Sequence, residues 1–324
     1  MKTKVLGRTG LKVPIIGMGA AFLGGRAAGN DPCAELDEDL GVQTVITAIE
    51  AGCSLIDTAP LYGQLKSEQM IGDALRARPD LKSGLIVTTK VGQTAEGRDY
   101  SYDAIMRNVE QSQERLGLDT FEILYVHDAI NVPMEKVLGQ GGTLEALRKL
   151  QDEGTVRFIG TAANDPDANG PFIETGEFDV AVVADAWSLL TQQASHLIFP
   201  AAKMHNVGIA LATPFERGLL ATGPTGDNRY LNRNFTPKIL THVGLINKIC
   251  DEFDIPIAAV ALHWCLRHPL VSTVIPGVAN PVEAQQNMEI AAMEIPEELW
   301  QRIDPLIIDW TDSKFVEPVK HKFS

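Results

Sequence analysis

Short, continuous apolar runs alternate with longer amphipathic segments along most of this 324-residue chain. The runs lack the apolar–polar alternation of a half-exposed strand, so they favour a parallel sheet that is buried on both faces. Several amphipathic segments end at a glycine, which is typical of the end of a helix. The pattern predicts eight strand–helix units, preceded by a small hairpin of residues 4–6 and 12–14 around the turn at Gly7 and Gly10.

The predicted strands cover residues 15–19, 55–57, 85–90, 121–127, 156–161, 180–185, 208–212 and 271–275. The predicted helices cover residues 42–51, 67–76, 101–116, 143–153, 170–176, 195–205, 237–253, 257–267 and 281–290. Ser67 and Ser101 are the expected N-caps of two of these helices. Residues 281–290 are expected to form the closing helix.

Eight such units in succession predict an α/β fold, namely a (β/α)8 barrel with the TIM-barrel architecture and an N-terminal β-hairpin. A doubly wound sheet is the alternative, but no GxGxxG segment follows the first strand. Residues 1–324 are expected to form a single barrel domain. The long loops 21–39 and 217–236 follow strands one and seven, and therefore belong to the face where barrel active sites are built.

Three charged or titratable side chains come at the ends of successive predicted strands. Asp57 ends strand two, Lys90 ends strand three and His127 ends strand four, while Tyr62 lies on the loop after strand two. Because the carboxyl ends of barrel strands share one face, we expect these four to converge there. Each residue alone is more often structural, and their joint placement is what indicates a site.

The four side chains suit proton transfer at a carbonyl group. A free tyrosine has a pKa of about 10 and is a poor acid or base at neutral pH. A nearby ammonium group favours the phenolate and is expected to lower that pKa. We therefore expect Tyr62 to be the general acid in reduction and the base in oxidation. Lys90 is its electrostatic activator, Asp57 is the partner of Lys90, and His127 orients the substrate oxygen.

Five motifs in the correct order resemble the aldo-keto reductase family: DTAPLYG at 57–63, VTTK at 87–90, ILYVH at 123–127, GTAAN at 160–164 and VIPG at 274–277. The family's catalytic tetrad matches Asp57, Tyr62, Lys90 and His127. The resemblance is greatest to the branch of aldose 1-dehydrogenases, L-fucose- and galactose-type dehydrogenases and pyridoxal 4-dehydrogenase. It implies hydride transfer between a nicotinamide cofactor and a carbonyl or alcohol.

The resemblance also implies a set of cofactor-binding residues. These are Gly19, Ala20, Asp57, Asn164, Thr213, Pro214, Phe215, Gly218, Leu219, Ile275, Pro276, Gly277, Glu283 and Asn287. The expected substrate-contacting residues are Phe22, Tyr62, His127, Asp128, Trp187 and Arg217. Asp185 and Glu216 are further polar candidates to contact substrate hydroxyl groups.

The chain departs from the family pattern where the nicotinamide is expected. Ala163 replaces the serine before Asn164, and alanines stand where the family has a glutamine (Ala184) and a stacking tyrosine (Ala212). Phe215 or Trp187 is then the candidate for the missing ring.

The cofactor preference is predicted from the segment after the last strand. Residues 277–283 contain no lysine or arginine, and Glu283 stands at the place of a common arginine. A 2′-phosphate there would lose charge-assisted hydrogen bonds of about 1.5–3 kcal/mol each. NAD is therefore the predicted cofactor, with NADP possible.

The expected activity is NAD-linked oxidation of an aldose or a similarly small polar substrate. The alternatives are an NADPH-dependent aldehyde reductase, a nicotinamide-binding redox-sensing regulatory subunit, and a metal-dependent barrel isomerase or lyase. Asp57, His127 and His196 or His205 could in principle bind a metal, but no HxH or HExxH spacing supports this, and no metal site is predicted.

Composition adds limits on partners and location. With 28 basic and 42 acidic residues the formal net charge is −14, which argues against nucleic-acid binding. No apolar run approaches about 18 residues, so no membrane segment is expected. Cys33, Cys53, Cys250 and Cys265 show no CxxC spacing, which is typical of reduced thiols in a cytoplasmic protein. A monomer or loose homo-oligomer acting on a small molecule is expected.

Overall fold

The computed structural model describes residues 1–25, 35–226, 229–231 and 233–317. Eight parallel strands form one sheet: β1 Met18–Gly19, β2 Leu55–Asp57, β3 Ile86–Val91, β4 Phe121–His127, β5 Val156–Ala163, β6 Val180–Val183, β7 Gly208–Ala212 and β8 Val271–Ile275. Each strand pairs with the next in chain order. Parallel bridges from Ile16 to Val274 and from Gly19 to Gly277 join the first strand to the last. The predicted (β/α)8 barrel is confirmed.

Ten helices of at least seven residues lie in the described part of the chain. They are α1 Glu38–Glu50, α2 Ser67–Ala77, α3 Tyr102–Leu116, α4 Thr143–Asp152, α5 Pro166–Glu174, α6 Phe199–His205, α7 Pro237–Glu252, α8 Ile257–Arg267, α9 Pro281–Ala292 and α10 Glu297–Ile303. Shorter helices cover Tyr62–Leu65, Met134–Leu138, Ala194–Leu197 and Leu219–Thr222. Single 3-10 turns cover Gly7–Thr9, Pro79–Lys82, Glu216–Gly218 and Asp304–Leu306. None of the described helices is long and apolar enough to cross a membrane.

Among the described residues, three antiparallel ribbons accompany the barrel. The N-terminal hairpin pairs Thr3–Val5 with Lys12–Pro14, as predicted, and the other two ribbons pair Gln93–Thr94 with Gly97–Arg98 and Arg229–Tyr230 with Arg233–Asn234. The hairpin closes the amino-terminal end of the barrel: Leu6 and Val13 are buried in the same cluster as Leu55 and Val180 from the strands. These apolar side chains of the hairpin lie at the amino-terminal end of the barrel, so they do not fill its carboxyl-terminal end.

Several predicted boundaries are wrong. Strand six ends at Val183, two residues before Asp185. The helix predicted over 195–205 is divided after Leu197, because a second helix begins at Phe199 with a proline in its first turn. The helix predicted over 170–176 begins at Pro166, after an N-cap at Asp165. The helix predicted over residues 281–290 is not the last helix, because α10 follows it.

Ser67 is not the N-cap of α2. The cap position is Lys66, and the Ser67 hydroxyl instead lies 2.8 Å from Thr58 Oγ1 and donates to the carbonyl of Ala20 at 3.1 Å. The hydroxyl therefore ties α2 to the loops after β1 and β2, both at the end of the barrel where the candidate site lies.

A glycine in β5 makes room for an aromatic ring inside the barrel. Gly160 pairs with Tyr125 across the β4–β5 ladder, and a Cβ atom on Gly160 would come within 2.4 Å of the Tyr125 ring and 2.6 Å of the Val180 carbonyl oxygen. We expect Gly160→Ala to lower the free energy of unfolding by about 1–3 kcal/mol, because the filled interior cannot expand.

Gly244, inside α7, is the matched control, since the nearest heavy atom to its added Cβ would be 3.9 Å away. We expect Gly244→Ala to raise the free energy of unfolding by about 0.5–1 kcal/mol. Urea denaturation of both variants measures these changes. Equal stability of the Gly160→Ala and native chains would show that the interior beside Tyr125 is not tightly filled.

Candidate active site

A buried ion pair lies at the carboxyl-terminal end of the barrel. The ammonium group of Lys90 on β3 donates to Asp57 Oδ2 at 2.6 Å and to the carbonyl of Thr58 at 2.8 Å. The other carboxylate oxygen, Asp57 Oδ1, accepts from Thr88 at 3.0 Å. Lys90 is 1% exposed and Asp57 4%. Neither charge would be stable there alone, so each holds the other at a fixed place.

Tyr62 and His127 lie above this pair. The Lys90 nitrogen is 4.4 Å from the centroid of the Tyr62 ring, and the rings of Tyr62 and His127 are 5.7 Å apart and nearly perpendicular. Tyr62 is brought there by a left-handed turn, in which Gly63 has a φ of 52°. A Cβ atom on Gly63 would be strained at that angle and would come within 3.2 Å of the Leu23 carbonyl oxygen, which favours a glycine after the tyrosine. The structure thus brings the four predicted residues together.

The pKa values within this group depend on burial and on Lys90. Burial raises the pKa of Tyr62, and the opposing attraction of Lys90 does not cancel that effect. The expectation that Lys90 lowers the phenol's pKa below its usual value is therefore wrong in net direction, because desolvation is the larger effect. Burial lowers the pKa of Lys90, but the interactions with Asp57 and Tyr62 outweigh this effect. The net pKa is raised, so the ammonium group stays charged.

His127 is held by groups that the sequence did not single out. Its carbonyl accepts from Tyr100 Oη at 2.6 Å and from Gln93 Nε2 at 3.2 Å. Both donors also reach the carbonyl of Asp128, and Arg98 donates to that carbonyl at 2.8 Å. Gln93 and Arg98 come from the ribbon after β3. Their position after a barrel strand was the available signal, but nothing in their residue types distinguished them from surface residues.

Asp128 follows β4 with a φ of 42°, a left-handed conformation that aspartate tolerates better than most residues. Its carboxylate accepts from the backbone N–H of Asn164 at 3.0 Å and lies 4.0 Å from His127 Nε2. Burial raises the pKa of this carboxyl group, partly against the hydrogen bond from Asn164. Asp128 therefore holds the backbone of Asn164, the residue expected to contact the nicotinamide, close to His127.

A cavity of about 280 Å³ connects the four residues to the loops after β7 and β8. Most of the predicted cofactor and substrate residues line it: Gly19, Phe22, Asp57, Tyr62, His127, Asp128, Asn164, Thr213, Pro214, Phe215, Arg217, Gly218, Ile275 and Gly277. Ala163, Ala184 and Ala212, the positions that depart from the family pattern, also line it, and so does Asp185. The wall is therefore made largely of small side chains with a few polar ones.

Other predicted residues lie outside the cavity lining. Trp187 packs on Trp264, with ring centroids 4.8 Å apart, and on Phe199, so it is not the missing ring; Phe215 is the candidate that lines the cavity. Ala20, Leu219 and Pro276 are buried behind the wall, and Asn287 is buried on α9. None of these residues is part of the cavity lining.

The carboxylate of Glu216 is not available to contact substrate. Glu216 is 2% exposed, and its carboxylate accepts from Ser188, Thr191 and Lys314. Arg217, the next residue, pairs with Asp185 Oδ2 at 2.9 Å across the loops after β6 and β7.

Among the described residues there is no group of three histidine, cysteine or acidic side chains that could hold a metal. Cys53, Cys250 and Cys265 are buried free thiols, and Cys33 lies outside the described residues.

Comparisons with known proteins support the fold and show the family. A model of the aldo/keto reductase family matches residues 15–308. Pyridoxal 4-dehydrogenase of Microbacterium luteolum is 31% identical, over 92% of this chain and 95% of its own length. D-threo-aldose 1-dehydrogenase of a Pseudomonas species is also 31% identical, over 91% and 94%. An aldo-keto reductase of Bacillus halodurans, solved in its holo form, gives a TM-score of 0.76 at 27% identity over 95% and 97% of the two chains.

The chain belongs to the aldo/keto reductase family and is an oxidoreductase of its NAD(P)-dependent type. This confirms the family identified from the five sequence motifs.

The burial of His127 leads to a testable prediction about the charge of its ring. Burial, with Lys90 nearby, lowers its pKa well below the usual value of about 6.5. Folding therefore disfavours the protonated ring. The neutral His127 ring therefore makes its full contribution to the free energy of unfolding above about pH 6.5. Below that value the free energy of unfolding falls by about 1.4 kcal/mol per pH unit, until the ring is also protonated in the folded protein. We expect NMR of histidine-labelled protein to show a neutral His127 ring at pH 5.5, with the His127 signal identified by its absence from a His127→Asn variant. Protonation of His127 near pH 6.5 would contradict the lowered pKa.

Proposed function

We propose that this enzyme oxidises a small polar alcohol or lactol, most specifically an aldose, to its carbonyl or lactone with NAD. The observation that carries the proposal is the grouping of Tyr62, Lys90, Asp57 and His127 around one cavity that continues to the loops after β7 and β8. The names of relatives that act on an aldose and on pyridoxal support the substrate class.

The residues present fit a nicotinamide dinucleotide. Besides the catalytic four, the cavity is lined by Thr213, Pro214 and Phe215 after β7, by Ile275 and Gly277 at the end of β8, and by Asn164 after β5. Gly277 supports the fit, because a Cβ atom there would come within 3.0 Å of the Phe22 ring and narrow this region. When bound, the cofactor would supply the hydride acceptor for oxidation or the donor for reduction.

The chain's own residues account for the proton. In oxidation, Tyr62 takes the proton of the reacting hydroxyl, and in reduction it returns a proton to the forming alkoxide. Lys90 stabilises the phenolate that exists between these events, and Asp57 keeps Lys90 charged and in place. His127, neutral because of its lowered pKa, orients the substrate oxygen with a ring nitrogen.

The raised pKa of Tyr62 favours the protonated phenol in the empty site, which is the form that reduction requires. Reduction of an aldehyde is therefore the second candidate activity on the same residues. The polar side chains of Asp128, Asp185 and Arg217 on the cavity wall favour the polyhydroxylated substrate, because they can exchange hydrogen bonds with several hydroxyl groups.

The preference for NAD rests on the start of α9. Glu283 accepts from the backbone N–H of Ala279 at 3.1 Å, and Asn280 accepts from the N–H of Glu283 at 3.0 Å. A carboxylate thus occupies the amino-terminal end of this helix, where an anion would otherwise be favoured. A cofactor phosphate at the same place would meet a negative charge, which supports NAD over NADP.

The activity is tested by following reduced nicotinamide spectroscopically with NAD or NADP and a panel of aldoses, deoxysugars, pyridine alcohols and simple aldehydes. We expect turnover of at least one aldose with NAD, and a fall in kcat of about 10²–10⁴-fold in Tyr62→Phe, because the variant keeps the ring but cannot transfer the proton. Tyr102→Phe, a matched change on α3 outside the cavity lining, serves as control. Reduction of aldehydes without oxidation of any aldose would refute the sugar assignment.

The cofactor preference is tested by reversing one charge. We expect Glu283→Arg to shift the ratio of kcat/KM for NADP over NAD upward by about 10–150-fold, the equivalent of one charge-assisted hydrogen bond. Glu289→Arg makes the same charge change on an exposed position of α9 and is expected to leave the ratio unchanged. A native chain that already uses NADP as efficiently as NAD would overturn the assignment.

A further inference from the structure

A segment after α10, residues 309–316, lies against the loops that follow β6 and β7. The backbone N–H of Trp310 donates to the carbonyl of Leu190 at 2.9 Å. Phe315 forms an antiparallel bridge with Phe235, and their ring centroids are 4.9 Å apart. Residues distant in sequence therefore support the loops that form one side of the cavity.

The strongest contact of this segment is a buried ion pair. Lys314, 4% exposed, donates to both carboxylate oxygens of Glu216 at 3.1 and 3.0 Å and to Thr191 Oγ1 at 2.6 Å. Glu216 Oε1 also accepts from Ser188 at 2.5 Å and from Thr191 at 3.1 Å. The carboxylate is thus satisfied by two hydroxyl groups of the loop after β6 and by one distant lysine. Without Lys314 it would be a buried, uncompensated charge, which is costly enough to drive the side chain toward water.

Glu216 stands in the middle of a strained stretch of the cavity wall. Thr213, Glu216 and Arg217 have φ angles of 57°, 44° and 57°, in the left-handed region that non-glycine residues rarely adopt. Such conformations persist only where the surroundings fix them. The neighbours Phe215 and Arg217 both line the cavity. The attachment of Glu216 therefore determines where two wall residues stand.

We propose that Lys314 is a positioning residue for the nicotinamide cofactor, acting through its buried ion pair with Glu216 on the strained cavity-wall stretch 213–218. Lys314 touches neither the cavity nor the four catalytic side chains; it fixes Glu216, and Glu216 fixes its neighbours. The inference rests on the proposed function, because it assumes that a nicotinamide cofactor binds along this wall.

The primary test is the equilibrium dissociation constant of NAD, measured by titration calorimetry on the whole purified chain, for the native protein and for Lys314→Met. We expect the dissociation constant to rise by about 10–100-fold, with kcat at saturating NAD changed by less than about threefold, because the proton-transfer group is not disturbed. The double variant Glu216→Gln with Lys314→Met should recover most of the affinity, since neither buried charge is then left unpaired.

Two further variants keep the result interpretable. Lys238→Met removes a lysine that lies 4.8 Å from the Trp310 ring, so it perturbs the same segment without touching Glu216, and it should leave NAD affinity unchanged. Ser188→Ala removes one donor to Glu216 while Lys314 stays, and should raise the dissociation constant severalfold even if Lys314→Met does not fold.

The outcomes separate the inference from the function on which it rests. Native affinity in Lys314→Met or Ser188→Ala, accompanied by a lower melting temperature, would show that the pair only stabilises the fold, and would overturn the inference. Loss of affinity in Lys238→Met equal to that in Lys314→Met, or no recovery in the double variant, would also overturn it. Failure of the native chain to bind either NAD or NADP would instead refute the proposed function.

Discussion

The buried attraction between Lys90 and Asp57 is the interaction on which the candidate site depends. Two opposite charges are enclosed at the end of the barrel, where removal of either would leave the other uncompensated at a cost of about 3–5 kcal/mol. Asp57 receives a further hydrogen bond from Thr88, and Lys90 a carbonyl contact with Thr58, so neither can move without the other. This rigidity places a permanent positive charge beside Tyr62. Burial, together with the same charge, lowers the pKa of His127 and favours its neutral form.

The barrel explains why such a pair can exist. Consecutive parallel strands deliver Asp57 from β2 and Lys90 from β3 to the same end of the barrel. The hairpin fills the opposite end with Leu6 and Val13, so the apolar interior and the charged site do not compete for space. The residues that stabilise the barrel and those of the candidate site thus lie at opposite ends of the barrel, as is usual for this architecture.

The side of the cavity formed after β6 and β7 is organised differently. Its residues stand in left-handed conformations and are tied down by ion pairs, Arg217 to Asp185 and Glu216 to Lys314. The catalytic side is fixed by strand geometry, whereas this side is fixed by side-chain contacts between loops. Differences among family members in cofactor and substrate preference are easier to accommodate on such loops, because loops tolerate change that strands do not.

The sequence alone determined the barrel and the family, and it predicted that Asp57, Tyr62, Lys90 and His127 would lie close together. It could do so because continuous apolar runs define buried parallel strands, and because the strand ends share one face whatever the details of packing. Helix boundaries were less well determined, since Ser67 could cap a helix or bond to other loops, and local sequence does not distinguish these.

Only the tertiary structure decided the balance of energies and the contacts between distant segments. The direction of the Tyr62 pKa shift required the extent of burial, which outweighs the attraction of Lys90. Trp187 had the residue type of a nicotinamide contact, yet its ring stacks on Trp264 instead. Glu216 had the residue type of a substrate contact, yet it is buried against Lys314, 98 residues away in sequence. Sequence patterns report local periodicity and spacing, whereas burial and long-range pairing depend on which surfaces the folded chain brings together.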